Sequence, residues 1–324
     1  MSDEADDPGP DSAVIGIDLG GTNVRAGLVL SDGRVVRRES RPTGADRGPG
    51  RVIETIAELA LSVRGGDRVA GVGIGSPGPL DAEAGVVVDA PNLAGWRDVP
   101  LGPLLSRLVS LPVRVENDAN AAALGEAFRG AGRGSKSLVC ITLGTGIGGG
   151  IVLEGDIVRG ASGVGGEIGH VTMDPRGPRC GCGNDGCLEA YASATALVRG
   201  ARARLAAGAA SALRDDESLT AASIALAARS GDALAASLLG GAGTMLGIAV
   251  ANLAHLLNPD TVVFSGGLSG AGEPLFGPLR AEFRRRAFPR AFAAVRIALA
   301  ELGDDAGIVG AARAFALSRG GIAS

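Results

Sequence analysis

Apolar residues come first in short runs broken by glycine. The run VIGID at 14–18 enters DLGGTN at 18–23, leaves as VRAGLVL, turns at SDG (31–33) and continues as RVVRRES. That pattern is strand, glycine turn, strand, tight turn, strand. The same order recurs at 137–158, SLVCITLGTGIGGGIVLEGDIV, with its tight turn at EGD (154–156). Two such units about 120 residues apart point to an internal duplication. After the first, 51–63 has helical periodicity and 69–75 (VAGVGIG) reads as a buried strand ending at SPGP. After the second, an Ala/Leu-rich helical region at 231–257 leads to a strand at 261–265 that ends at GGLSG. Between the copies, strand 113–116 runs into NDANAAALGEAFRGAG. Asn117 or Asp118 suits a helix N-cap there, and Gly130 and Gly132 suit its end. Further helices are expected at 189–206, 218–229, 277–287 and 305–318, with a strand at 294–300.

Strand alternating with helix in each half predicts an α/β protein with mixed sheets. The expected organisation is a disordered tail at 1–12, a small α/β domain at 13–117, and a large one at 118–304 carrying a cysteine-rich loop at 167–189. The hinge is expected near 117, with the last helix (305–324) returning to the first domain. The 324 residues carry a formal net charge of −4. That balance argues against nucleic acid as a partner, because phosphate binding needs clustered excess base. Lys136 is the single lysine, so arginine carries nearly all the positive charge. No run of 18 apolar residues lacks charge or glycine, so no membrane span is expected. The opening MSDEADDPGPDSA is acidic and polar, unlike a signal peptide. With four cysteines and no export signal, a cytoplasmic setting with reduced thiols is expected.

Chemistry concentrates in 167–189, EIGHVTMDPRGPRCGCGNDGCLE. His170, Cys180, Cys182 and Cys187 make a complete tetrahedral Cys3His set for a closed, structural zinc. Glycines at 181, 183 and 186 allow a short loop to wrap the metal. The alternative is a set of small buried cysteines, but Cys-x-Cys-x4-Cys among Gly, Asn and Asp is not a core pattern. Glu167 and Glu189 flank the set. With one ring nitrogen of His170 on zinc, the other is available to a ligand, so the loop would order hydrogen-bonding groups for a polyhydroxylated molecule.

GTGIGG at 144–149 matches the dinucleotide pattern, but a strand follows it where that motif requires a helix. It reads instead as a hairpin turn whose N–H groups would hold a polyphosphate together with the turn at 20–23. Thr22, Asn23 and Thr145 add donors, and Asp18 is a candidate for Mg²⁺, directly or through water. Asp118 is either a plain helix cap or the general base for an alcohol in phosphoryl transfer, its carboxylate favoured by the helix dipole. Segment 75–100 reads as a surface hairpin, with Asn92 and Trp96 in a polar loop. His255, in an apolar helical stretch, is expected as a core or interface residue, Cys140 as core, and Gly266 and Gly267 as a turn able to admit adenine or ribose.

Taken together, DLGGTNVRAG (18–27), GIGSPGPLD (73–81), NLAGWRDVPL (92–101), ENDANAAALGE (116–126), LGTGIGGG (143–150), GEIGH (166–170) and CGCGNDGCLE (180–189) resemble the ROK family of bacterial sugar kinases, its glucokinase branch most closely. The resemblance spans Ile15 to about Phe315. It implies an actin/hexokinase-like (ribonuclease H-like) fold, two α/β domains closing over a cleft, and ATP-dependent phosphorylation of a hexose at its 6-hydroxyl, glucose foremost. By that likeness Asp118 is the catalytic base. Asn117, Glu167, His170 and Glu189 bind sugar hydroxyls, together with Asn92 and Gly78. Gly20, Gly21, Thr22, Asn23, Gly144, Thr145, Gly146, Gly266 and Gly267 contact the nucleotide. His170 and the three cysteines hold zinc, and a homodimer or homotetramer is implied. The DNA-binding extension of the family's repressors has no counterpart before the first glycine turn. Alternative readings are another acceptor (N-acetylmannosamine, N-acetylglucosamine, fructose or allose), polyphosphate as donor, or a sugar sensor without kinase activity.

Overall fold

A computed structural model describes residues 13–319 apart from Pro91 and Glu217. The tail expected at 1–12 therefore lies outside the described residues. β1 (Ala13–Leu19), β2 (Asn23–Val29) and β3 (Val35–Pro42) form an antiparallel meander. α1 (Gly48–Arg64) leads to β4 (Val69–Ser76), which lies parallel to β1. A small antiparallel sheet follows, made of β5 (Leu80–Asp81), β6 (Val86–Asp89) and β7 (Arg97–Val99). Then come α2 (Leu101–Val109) and β8 (Val113–Asn117), which is parallel to β4 and runs directly into α3 (Asp118–Phe128). The strand order is β3-β2-β1-β4-β8.

The second half repeats that plan. β9 (Ser137–Leu143), β10 (Ile147–Leu153) and β11 (Asp156–Ile157) precede the cysteine loop. Four helices follow: α4 (Glu189–Ala192), α5 (Ala194–Ala206), α6 (Ala221–Arg229) and α7 (Ala233–Leu256). The chain ends with β12 (Thr261–Ser265), α8 (Glu273–Arg286), α9 (Pro289–Ala294), β13 (Arg296–Leu299) and α10 (Ala306–Arg319). The order β11-β10-β9-β12-β13, with β12 parallel to both β9 and β13, reproduces the first sheet position for position. The expected α/β class with mixed sheets is found in both halves.

Two compact units emerge. The first takes Met1–Gly134, Gly150–Gly165 and Glu301–Ser324, and the second takes Ser135–Gly149 and Gly166–Ala300. The division after Gly134 corrects the hinge expected near 117. The reason is packing: α10 lies against α3, β1 and β4, so α3 stays with the first sheet. The approach is so close that a Cβ on Gly73 would overlap the carbonyl of Ala311, and one on Gly310 would overlap that of Ala121. Val14, Val29, Ile308, Ala312 and Phe315 fill the seam. On the opposite face, Val52, Ile56, Leu59 and Val63 repeat at helical spacing along α1 and pack with Ile15, Ile17 and Ile74. Each such burial stabilises by roughly 1.5–3 kcal/mol.

The chain's first exit from the first unit and its last re-entry are tied to one carboxylate. Glu126, 0% exposed, accepts hydrogen bonds from the backbone N–H groups of Ala131 (2.8 Å), Glu301 (3.2 Å) and Leu302 (2.9 Å).

Some boundaries and environments differ from expectation. The helix expected at 189–206 breaks at Ser193, whose hydroxyl caps α5 by accepting from the Ala196 N–H. α9 adds a short helix, opened by Pro289, before the strand expected at 294–300. The 75–100 segment is a three-stranded sheet; Trp96 lies in its β6–β7 loop, as expected, but is 2% exposed and packed into the core. His255 is exposed and accepts a hydrogen bond from the Phe288 N–H, so it is no core residue. Cys140 is buried as expected. α7 is long and apolar enough to cross a membrane, yet half of its apolar window is buried. Two of its glycines are packing positions and not breaks, since a Cβ on Gly243 would overlap the carbonyl of Leu275 in α8 and one on Gly247 that of Leu279.

Candidate active site

In the first unit, the β8–α3 junction is built around Asn117. Its side-chain oxygen accepts from the N–H groups of Ala119 (3.0 Å) and Asn120 (3.1 Å), satisfying donors that a helix start leaves unpaired. Its amide nitrogen donates to the Gly78 carbonyl at 3.4 Å, bringing together two residues expected at the sugar. Gly78 has φ 84°, and a Cβ there would overlap the Asp89 carbonyl, so the turn requires glycine. Asp118 is the first residue of α3, and its carboxylate accepts from the Ala119 N–H at 2.8 Å. The start of α3 also puts the positive end of the helix dipole beside that carboxylate.

Behind this junction sits a buried ion pair. Glu116 is 1% exposed. One of its oxygens receives Nε (3.0 Å) and Nη2 (2.7 Å) of Arg159. The other accepts from the Asn117 N–H and from Asn120 Nδ2, both at 3.1 Å.

The first glycine turn closes with a Gly20 N–H to Asn23 carbonyl bond of 3.0 Å. Asn92 is its neighbour: a Cβ on Gly21 would meet the Asn92 Cβ at 3.5 Å. Asp18 lies just before the turn, 3.4 Å from Arg25 Nη1. Burial raises its carboxyl above the usual range, against the lowering by Arg25.

In the second unit, the ligand atoms of His170, Cys180, Cys182 and Cys187 all fall within 4.8 Å of one another. Cys180 Sγ is 3.7 Å from His170 Nδ1, and Cys182 Sγ is 3.7 Å from Cys187 Sγ. An S–S edge of a tetrahedral site with Zn–S bonds of about 2.3 Å spans roughly 3.8 Å, so the residues fit the metal. Burial pushes the Cys187 thiol up to about 12 and raises that of Cys180, while the Asn184 N–H lowers that of Cys182. A bound cation would reverse the cost of ionising the two buried thiols. Of the three loop glycines, 183 and 186 have positive φ, and a Cβ on Gly186 would overlap the Asp174 carbonyl. With Nδ1 toward the cysteines, Nε2 of His170 points to Glu167, 4.0 Å from its carboxylate.

Glu189 joins two parts of the expected site. One oxygen lies 3.6 Å from Cys180 Sγ, and the other accepts from the Ile147 N–H at 2.9 Å, directly after the second glycine turn. Gly144 N–H closes that turn on the Gly146 carbonyl at 3.0 Å. Gly266 (φ 84°) abuts Leu143 at the base of the turn, while nothing lies within 4 Å of a Cβ built on Gly267.

A model of the ROK family matches residues 14–317. A glucokinase of Thermotoga maritima is 43% identical over 307 residues, 94% of this chain and 97% of its own.

The chain belongs to the ROK family.

A solved ROK family glucokinase from Streptomyces griseus, in complex with glucose and AMPPNP, shares 39% identity and a TM-score of 0.77 over 93% of this chain and 98% of that one. The chain is also similar to a xylose repressor of Caldicellulosiruptor bescii, 32% identical over 92% of this chain and 76% of that protein's length. In this ROK chain Arg159, Thr43 and Thr195 support the site without belonging to any motif. Arg159 reaches Glu116 across 43 residues, with no local signal. The two threonines hold the glycine turns and carry no motif of their own.

Proposed function

We propose that this chain transfers the γ-phosphoryl group of ATP to the 6-hydroxyl of a hexose, glucose foremost. The observation that carries the proposal is Asp118, at the start of a capped helix beside the Asn117–Gly78 hydrogen bond. It belongs to a chain similar to a glucokinase solved with glucose and AMPPNP. In this reading Asn117, Gly78, Asn92, Glu167, His170 and Glu189 bind sugar, and Asp118 accepts the 6-hydroxyl proton as the phosphoryl group departs. The turns at 20–23 and 144–146 hold the phosphates, and Gly266 and Gly267 lie at the nucleoside. Mg²⁺ would neutralise charge on the phosphates. We assign Asp18 to it through water, because Arg25 already engages one of the carboxylate oxygens. His170, Cys180, Cys182 and Cys187 would hold a structural zinc that keeps His170 and Glu167 in place. Four cysteines outside any disulfide fit a cytoplasmic setting.

A coupled assay across glucose, N-acetylmannosamine, N-acetylglucosamine, fructose and allose, with ATP or polyphosphate as donor, tests the reading. Glucose with ATP should give the highest kcat/KM. Asp118→Asn should retain glucose binding and lose at least about a thousandfold in turnover, within the range for removing a general base from an organised site. Near-normal turnover would remove Asp118 from the role. A second reading, a sugar sensor without phosphoryl transfer, draws on the similarity to a repressor. Hexose-dependent ATP turnover excludes it.

A further inference from the structure

The two glycine turns share a mode of support. In the first, Thr43 lies directly after β3 and is 1% exposed. Its hydroxyl donates to the Gly20 carbonyl (2.7 Å) and its N–H to the Thr22 carbonyl (2.9 Å). In the second, the Ala194 N–H donates to the Gly144 carbonyl (2.9 Å) and the Thr195 hydroxyl to the Thr145 carbonyl (2.8 Å). Each turn therefore has two carbonyls held by one backbone N–H and one threonine hydroxyl, supplied from a distant part of its own unit. The residues that supply them differ in local structure. Thr43 follows a strand, whereas Ala194 and Thr195 open α5.

The physical need is plain. A turn rich in glycine can bring backbone N–H groups close to a phosphate, but it has few side chains to hold its own shape, and each glycine adds conformational entropy to be lost. An unrestrained carbonyl that swung toward the phosphates would repel them. Tying both carbonyls restricts the turn to conformations in which the carbonyls stay engaged elsewhere. In the second turn this also uses the first N–H of α5, one of the donors a helix start leaves unpaired, so that N–H is committed to protein and not to ligand. Glu189 adds a further tie through the Ile147 N–H, and only glycine at 146 leaves room for its carboxylate.

We infer that Thr43 and Thr195 are positioning residues for the phosphate donor, acting through the two turns and not by touching the sugar. The inference rests on the assignment of those turns to ATP. The test uses Thr43→Val and Thr195→Val in the full chain, with Thr→Ser at each position as the conservative control. Titration of Mg-AMPPNP without sugar, and KM for ATP and for glucose, are measured for each. Loss of one neutral hydrogen bond predicts roughly a fivefold weaker Kd for Mg-AMPPNP and a matching rise in KM for ATP. KM for glucose should stay within about twofold, and the serine variants should restore donor affinity. An unchanged Kd in a folded valine variant overturns the inference, as does a parallel rise in both KM values. If Thr43→Val fails to fold, Thr195→Val, whose side chain is exposed, decides the matter alone. Absence of hexose-dependent ATP turnover in the unmutated chain would instead sink the functional reading, while the Mg-AMPPNP titration would still report on the turns.

Discussion

Replacing Arg159 with methionine isolates the ion pair behind Asp118. The guanidinium places two N–H groups on one oxygen of Glu116, at 3.0 and 2.7 Å. Removing it leaves a carboxylate with 1% exposure and no cation. Breaking a buried pair in this way typically costs about 3–5 kcal/mol. Arg159 itself is 25% exposed, so water reaches the vacated side and a lower figure of about 2–3 kcal/mol is expected. For a unit of this size that corresponds to a fall in melting temperature of roughly 4–12 °C. The other Glu116 oxygen holds the Asn117 N–H and Asn120, so catalysis should suffer as well. Turnover should fall by about tenfold or more, because a small displacement of a base is costly. The double variant Glu116→Gln with Arg159→Met removes the stranded charge while keeping an acceptor for Asn117. It should be more stable than Arg159→Met alone, a non-additivity read directly from a double-mutant cycle. Thermal and urea unfolding, with kcat and KM for glucose, measure each term. A stability loss under about 0.5 kcal/mol for Arg159→Met, or strict additivity in the cycle, would refute the account.

Two further outcomes are expected. Elemental analysis should find about one zinc per chain, and Cys182→Ser should lower both zinc content and glucose affinity, since His170 and Glu167 are ordered by the same loop; zinc loss without any change in glucose affinity would separate the metal from the sugar. Hydrogen bonds from Arg285, then Arg286, hold the Glu282 carboxyl down at about 2. Its contribution to stability is therefore complete above about pH 4.5, the ordinary value, and disappears as pH falls toward 2. Unfolding curves at constant salt should show the deficit of Glu282→Gln shrinking across that window, and a constant deficit would contradict the assignment.

What the sequence made legible was what is local. The hairpin turns, the Asn117 cap and the Cys3His spacing each declare themselves within about ten or twenty residues, through turn chemistry and ligand arithmetic. Position in space was less accessible. Trp96 sits among polar neighbours in sequence yet is buried, because the small sheet folds it onto the first core. His255 follows an apolar run yet lies exposed near the end of α7. The boundary after Gly134 depends on contacts between α3 and a helix almost two hundred residues later, made possible by glycines whose purpose only the packed neighbour explains. Thr43, Thr195 and Arg159 act through single long-range bonds, and no periodicity marks such a residue.

The late return of α10 also sets a timetable for biosynthesis. Chains emerge from the ribosome N-terminal end first. The glycine-lined face of β1 and β4 must therefore wait, uncovered, while some two hundred further residues are translated, among them all of 166–300, which form a compact unit with 135–149. The part of the molecule that begins first is completed last, and a nascent chain halted before Ala306 would present an open, apolar seam to chaperones and proteases.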